Sequence, residues 1–398
     1  MAIRYVAALP RGAEVVVIGG GIVGAATAFH LARAGLRPLV LERRPALCSL
    51  TTAVAAGGFR LQLETREQLE LVRESADLFL NFAEITGQAG YDPRVRQQGY
   101  LWLTNTEAGV ERQRRLVAEQ RAWGLADVDL LDGDETRRAF PFAGPDVLQA
   151  RFRAADGLLD PKAVTMGLAA ASGAEVAVGC GVTGFRLNGG RIVEVETTLG
   201  GVGADAVVVA AGPFSGEVAR LAGVELPVTA VRRQKLVMPE VPQVPADAPM
   251  TIDDDTGVHW RPTFQGASLL FADPSTPPTP PSEDVPLDHR FAFQLLDPAS
   301  PVSASRVAPF WREVWDTWSA SWILQAGHYT MTPDHRPLIG PTEVEGLLVN
   351  TGYSGRGVMA GPAGSRRLAD LLTGGTPADA NPFRPDRPFA AEPAVDLL

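Results

Sequence analysis

The run EVVVIGGGIVGAATAFHLARAG, residues 14–35, decides the fold. After Glu14 come four aliphatic residues, Val15 to Ile18, the pattern of a strand buried on both faces. Ile22 to Ala34 is apolar and small, reads as a helix, and stops at Gly35. Pro38 to Leu41 is a second strand, so the three elements form a βαβ unit at the front of the chain. The glycines between strand and helix, Gly19, Gly21 and Gly24, satisfy G-x-G-x-x-G in the context that gives the motif meaning. Gly19 permits the tight turn, Gly21 lets the backbone approach a pyrophosphate, and Gly24 lets the helix pack closely on the strand. The first helical amides, at Ile22 and Val23, then meet the phosphates together with the positive end of the helix dipole. Eighteen residues beyond Gly24, Glu42 ends the second strand, where a carboxylate accepts from ribose hydroxyls and rejects a 2′-phosphate.

Composition narrows the rest. The chain has 398 residues, 45% hydrophobic and 21% charged, which is globular rather than disordered. A formal net charge of -10 opposes binding to a phosphate backbone, so nucleic acid is not expected as a partner. Two cysteines, Cys48 and Cys180, cannot make a disulfide framework or a four-cysteine zinc site, and no metal is expected. No apolar run reaches the roughly 18 residues of a membrane span, and the first residues lack a secretory core, so the expected location is cytoplasmic. Lys162 and Lys235 are the only lysines, and imidazole chemistry is limited to His30, His259, His289, His328 and His335.

Further along, the periodicity predicts helices over Thr65–Glu84, Glu107–Trp123 and Pro161–Ser172. Strands are expected at Tyr100–Thr104, Glu175–Val178, Val182–Leu187, Ile192–Thr198 and Ala206–Ala210. Residues 273–286, DPSTPPTPPSEDVP, read as a proline-rich surface loop. Trp311, Trp315, Trp318 and Trp322 recur at helical spacing and read as one core-facing helix stripe. The tail after Thr373 reads as surface wrapping.

Two features favour FAD over NAD. Val207–Pro213 is a second apolar strand running into a small-residue turn, and residues 350–359, NTGYSGRGVM, form a glycine-rich loop opening a helix. The dipole end of such a helix suits the anionic N1–C2=O edge of a reduced flavin.

These segments carry a family likeness. Residues 15–35 with LERR (41–44), AAGGFRLQ (55–62), ADGLLDP (155–161), VVVAAGPFS (207–215), GHYTMTPDHRPLIG (327–340) and NTGYSGRGVMAGPA (350–363) resemble the FAD-dependent D-amino acid oxidase superfamily. The likeness is to its branch of sarcosine oxidases, glycine oxidases and proline dehydrogenase β-subunits, and it spans nearly the whole chain. It implies an α/β (α+β) architecture, a Rossmann-type FAD-binding domain from discontinuous segments plus an antiparallel-sheet substrate domain. The expected segments are 1–90, 151–225 and 326–375 for FAD, 91–150 and 226–325 for substrate, and a tail at 376–398.

The resemblance also implies site residues. Glu42 and Arg43 would hold the adenosine end, Thr51 and Thr52 the pyrophosphate, and the Val182 backbone the adenine, while Ala211 and Gly212 would close over the cofactor. Gly355, Arg356, Gly357, Val358 and Met359 would follow the flavin pyrimidine edge, and Arg60 would lie against the isoalloxazine. Gly327 stands where some sarcosine oxidases carry a flavin-attaching cysteine, so that bond is impossible and the FAD is expected to be non-covalent. The lysine that monomeric sarcosine oxidases use near the flavin falls close to Leu269, a second family lysine corresponds to Met359, and a loop histidine to Arg356.

The implied reaction oxidises a C–N bond beside a carboxylate by hydride transfer to flavin N5, giving an imine that water hydrolyses. The substrate would be a small secondary amino acid, sarcosine-like or cyclic. The alternatives are a glycine or D-amino acid oxidase or dehydrogenase, and a catalytically idle FAD-bound subunit or assembly factor. Oxygen or another acceptor, through a possible partner subunit, would take the electrons. Arg60, Arg356, Tyr329 and His259 are the residues expected to meet substrate.

Overall fold

The computed structural model describes residues 2–317 and 321–389. Its centre is the strand Gly12–Ile18, whose Val15–Ile18 are buried on both faces, between Pro38–Glu42 and Gly200–Val209. All three run parallel. Glu175–Val178 extends the sheet beyond Pro38–Glu42, and Leu347–Thr351 lies parallel to the end of Gly200–Val209. Helices Ile22–Arg33, Pro161–Ser172 and Gly357–Leu372 share the core under one face. A sheet so covered must be apolar throughout, as its strands are. Val182–Asn188 and Arg191–Thr197 form an antiparallel extension. The strand expected at Ala206 begins earlier, at Gly200, because its first residues pair with this hairpin.

The second sheet is antiparallel except where Met250–Asp253 runs parallel to Tyr100–Thr104. In lateral order it runs Ile323–Met331, Thr229–Met238, Ala267–Phe271, His259–Pro262, Met250–Asp253, Tyr100–Thr104, Gln149–Arg153 and Asp129–Asp132. One face rests on an apolar core with Leu236, Trp260, Leu269, Phe291 and Trp311, under helices Arg290–Leu296 and Phe310–Thr317. Period-two alternation turns every other residue to the opposite face. Strands Gln149–Arg153 and Ile323–Met331 run across the expected boundaries at 150/151 and 325/326.

The tryptophan stripe breaks down. Trp311 is fully buried and Trp315 partly, both on the helix described over Phe310–Thr317. Trp322 precedes a strand instead and meets the Phe293 ring edge-on at 6.1 Å. Trp318 lies outside the described residues. The proline-rich run is mostly loop, with Pro278–Thr279 pairing onto Ala230–Val231. Phe383 in the tail is buried. Among the described residues no helix is long and apolar enough to cross a membrane.

Candidate active site

The parallel sheet and the second sheet enclose one long cavity, with about 2150 Å³ of free space including its mouth. At one end the glycine turn is shaped by packing. A Cβ on Gly24 would stand 1.8 Å from the Gly19 carbonyl oxygen, and one on Gly19, at φ +119°, would stand 2.4 Å from the Ala210 carbonyl oxygen. Strand, helix and turn are therefore as close as backbone permits.

The helix that follows has no side-chain cap and no acidic residue in its first turn. The Ile22 amide donates to the Thr52 hydroxyl at 3.2 Å, which brings the Thr51–Val54 helix over the turn. Glu42 holds the other side, accepting from the Gly20 and Arg44 amides at 2.7 Å each. Burial raises its pKa, opposed by these two amides. Arg43 lies 3.6 Å over the Phe214 ring and pairs with Glu283 at 2.8 Å. The second glycine loop repeats the arrangement: helix Gly357–Leu372 also starts with no side-chain cap and no acid in its first turn. Gly355, at φ +91°, is pressed so closely on Tyr329 that a Cβ would reach its ring at 2.5 Å. Two uncapped helix starts in one cavity suit a ligand with a diphosphate at one end and an anionic ring edge at the other.

The structure brings the expected site residues together. Gly19, Gly21, Ile22, Val23, Glu42, Arg43, Thr51, Thr52 and Val182 line the cavity, as do Ala211, Gly212, Gly327 and Gly355 to Met359. Gly24 sits behind them as a packing glycine. Arg60, His259, Tyr329 and Arg356 line its deeper part.

Around these four the chemistry is specific. Arg60 and Arg356 are 1% and 4% exposed, and each stands 3.6 Å from a carboxylate oxygen of Glu64. Burial pushes the Glu64 pKa up, but the fields of Arg60, Arg356 and Arg151 outweigh it and leave the carboxyl ionised below its usual range. Arg60 also donates to the Gln62 carbonyl at 2.6 Å, and Arg356 to the His335 carbonyl at 3.2 Å. Burial brings Arg356 down to about 10, still cationic at neutral pH. Trp102 lies between two guanidiniums, Arg151 at 4.0 Å and Arg60 at 5.1 Å from its ring. Tyr329 faces Arg233 across its ring at 5.6 Å, and burial raises its pKa, so the hydroxyl stays protonated.

His259 is buried, and desolvation pushes its pKa down to about 4. Its Nδ1 lies 2.9 Å from the Gly257 carbonyl. A carbonyl only accepts, so Nδ1 carries the proton and Nε2 is left as an acceptor. His30, also buried, is pushed down to about 3. Unfolded histidines near 6.5 take up protons that these two refuse, so stability should fall as pH drops from about 6.5 toward 4. Each histidine contributes about 1.4 kcal/mol per pH unit across that window. Thermal melts between pH 7 and pH 4.5 should show the decline, and it should be shallower in His259→Asn. A melting temperature independent of pH over that range would refute the neutral assignment.

Sequence reading missed Glu64, and it singled out Lys235 as the only lysine placed to approach the pocket but left it out of the expected site. Glu64 was visible as the third member of Arg60, Gln62 and Glu64, which alternate with the buried Leu61 and Leu63. Leu269 belongs to the apolar core on the far face, while Leu270 lines the cavity and pairs with Lys235 in the adjacent strand. The cavity therefore does hold a lysine, contributed by the neighbouring strand.

Comparison with known proteins agrees with this geometry. A family model described as FAD dependent oxidoreductase (DAO) matches residues 14–371. Mitochondrial sarcosine dehydrogenase of Mus musculus is 29% identical over 382 residues, covering 93% of this chain; the chain spans about 40% of that relative's length. A D-amino acid dehydrogenase of Cereibacter sphaeroides is 29% identical, covering 96% of this chain and 98% of the relative. Among solved structures, L-proline dehydrogenase from P. horikoshii superposes with a TM-score of 0.81 at 26% identity, covering 93% of this chain and 96% of the other.

Proposed function

The chain belongs to the family of FAD-dependent oxidoreductases, with FAD as its cofactor; from that premise we propose that it oxidises the C–N bond of a small secondary amino acid, sarcosine-like or cyclic. The observation that carries this reading is the pair of buried guanidiniums, Arg60 and Arg356, which line the cavity and each stand 3.6 Å from Glu64. Buried guanidiniums lining a cavity offer a substrate carboxylate charge-assisted, bidentate hydrogen bonds.

The glycine turn with Ile22 and Val23 would hold the FAD diphosphate, Glu42 and Arg43 its adenosine end, and the 355–359 loop its ring. When bound, FAD supplies the two-electron acceptor. The protein's own residues do the rest. Arg60 and Arg356 orient the substrate by its carboxylate, and Tyr329 offers a protonated hydroxyl beside them. His259, neutral above about pH 4, presents Nε2 as an acceptor for an amine N–H. A cationic pocket also favours the neutral amine over the ammonium form, because a like charge lowers an amine's pKa. The FAD-binding segments proposed are 1–90, 151–225 and 326–375, and the substrate segments are 91–150 and 226–325. Electrons would pass to oxygen or to another acceptor, including a partner subunit.

The test is anaerobic mixing of the yellow protein with sarcosine, L-proline, glycine and D-alanine. Bleaching by sarcosine or proline ahead of the other two is the expected result. Preference for glycine or D-alanine would move the assignment to primary amino acids. Bleaching by no member of a wider amine panel would refute the reading in favour of an idle FAD-bound subunit. Recolouring on admission of air would separate oxidase from dehydrogenase.

A further inference from the structure

The cavity face of the second sheet carries more positive charge than one substrate carboxylate requires. Register sets two adjacent rows across that face. One runs Gln325, Lys235, Leu270, His259, Ile252, Trp102, Arg151, and the next runs Ser268, Arg261, Met250, Tyr100, Arg153. Arg233 is two residues before Lys235 on the same strand and also lines the cavity.

Some of these cations are matched. Arg153 pairs with Asp156 at 2.6 Å and Asp127 at 2.8 Å, and Arg151 has Asp254 at 3.9 Å. Three are not. Lys235 Nζ reaches only the Ala55 carbonyl, at 3.4 Å. Arg233 donates only to the carbonyls of Asp273 and Arg232. Arg261 makes no hydrogen bond or ion pair among the described residues, and its buried Nε has no partner. The carboxyls of Asp273 and Asp160 act on Arg233 and Arg261 through the field alone. Repulsion between Arg261 and Lys235, with Lys162 beyond, adds to burial in lowering the Lys235 pKa to about 8.

A half-buried cation without a counter-charge at a cavity wall is a place where an anionic ligand group gains a charge-assisted contact. Arg60 and Arg356 already hold one pole with Glu64, and the fields of Arg60 and Arg261 meet at Tyr100 between the poles. We infer that the substrate is an amino dicarboxylate, its first carboxylate at Arg60 and Arg356 and its second anionic group at Lys235, with Arg261 in the adjacent row behind it. This deepens the proposed function and rests on it.

Two non-reacting ether analogues test the inference by their perturbation of the bound flavin's absorbance: oxydiacetate, with two carboxylates, and methoxyacetate, with one. Oxydiacetate is expected to bind at least about tenfold more tightly, the scale of one desolvated ion pair. That gap should close in Lys235→Met and in Arg261→Met and reopen in Lys235→Arg. Because the Arg261 variant removes a buried side chain, the lysine pair decides if it fails to fold. Equal binding of the two analogues would overturn the inference while leaving the carboxylate pole in place. Binding of neither would bring down the proposed function itself. Loss of flavin from Lys235→Met protein would also overturn the inference, by assigning these charges to the cofactor.

Discussion

Gly24→Val protein is expected to purify colourless, with FAD affinity reduced more than about 100-fold. The added Cβ would stand 1.8 Å from the Gly19 carbonyl oxygen and 2.9 Å from its carbon. Both are backbone atoms, so no side-chain rotation relieves the contact, and the turn itself must move. That turn positions the uncapped amides at the start of helix Ile22–Arg33, where the diphosphate binds. Loss of the cofactor also removes its linkage stabilisation, about 4 kcal/mol at a thousandfold excess over Kd, so the melting temperature should fall and stop responding to added FAD. Gly12→Ala is the matched control. It lies on the same strand, and its Cβ would meet nothing nearer than the Gly203 carbonyl at 3.6 Å, so that protein should remain yellow. Stoichiometric flavin in Gly24→Val would show that the turn is not the cofactor's anchor.

This end of the molecule was legible because its signal is contiguous. The aliphatic run Val15–Ile18, the three glycines and Glu42 fall within thirty residues, and local pattern suffices to read them. The deeper site was legible residue by residue but not as an arrangement. His259 and Tyr329 share the cavity through the pairing of Thr229–Met238 with Ile323–Met331 and with Ala267–Phe271, and of Ala267–Phe271 with His259–Pro262. Register between strands far apart in sequence is set by packing that no local window contains. For the same reason Lys235 could not be seen opposite Leu270. The tryptophan spacing misled in the other direction: Trp322 keeps the helical interval from Trp311 and Trp315 but precedes a strand and sits against Phe293.

Arg60→Met tests the chemical end. The side chain is 1% exposed and lies near both Glu64 and the Trp102 ring. Methionine keeps much of the volume and removes the charge, leaving Arg356 to be shared between Glu64 and the substrate carboxylate. The incoming carboxylate loses one of two guanidiniums, Arg60 and Arg356, that line the cavity. Truncating one partner of a buried charge pair costs about 2–5 kcal/mol, so kcat/KM for a carboxylate substrate should fall about 10³-fold, equivalent to about 4 kcal/mol. The flavin should stay bound, because the diphosphate anchor lies at the other end of the cavity. Glu64→Gln should move ligand affinity in the opposite sense: it removes the carboxylate that competes with substrate for both guanidiniums, so methoxyacetate should bind more tightly. The same change removes the Glu64 charge from beside Arg60 and Arg356, lowering the ligand-free melting temperature and enlarging the rise on adding ligand. The double variant, in which Glu64 no longer competes for Arg356, should recover part of the affinity lost in Arg60→Met. A kcat/KM within tenfold of wild type in Arg60→Met, or weaker methoxyacetate binding in Glu64→Gln, would remove the carboxylate from this pole and require the substrate to enter by another orientation.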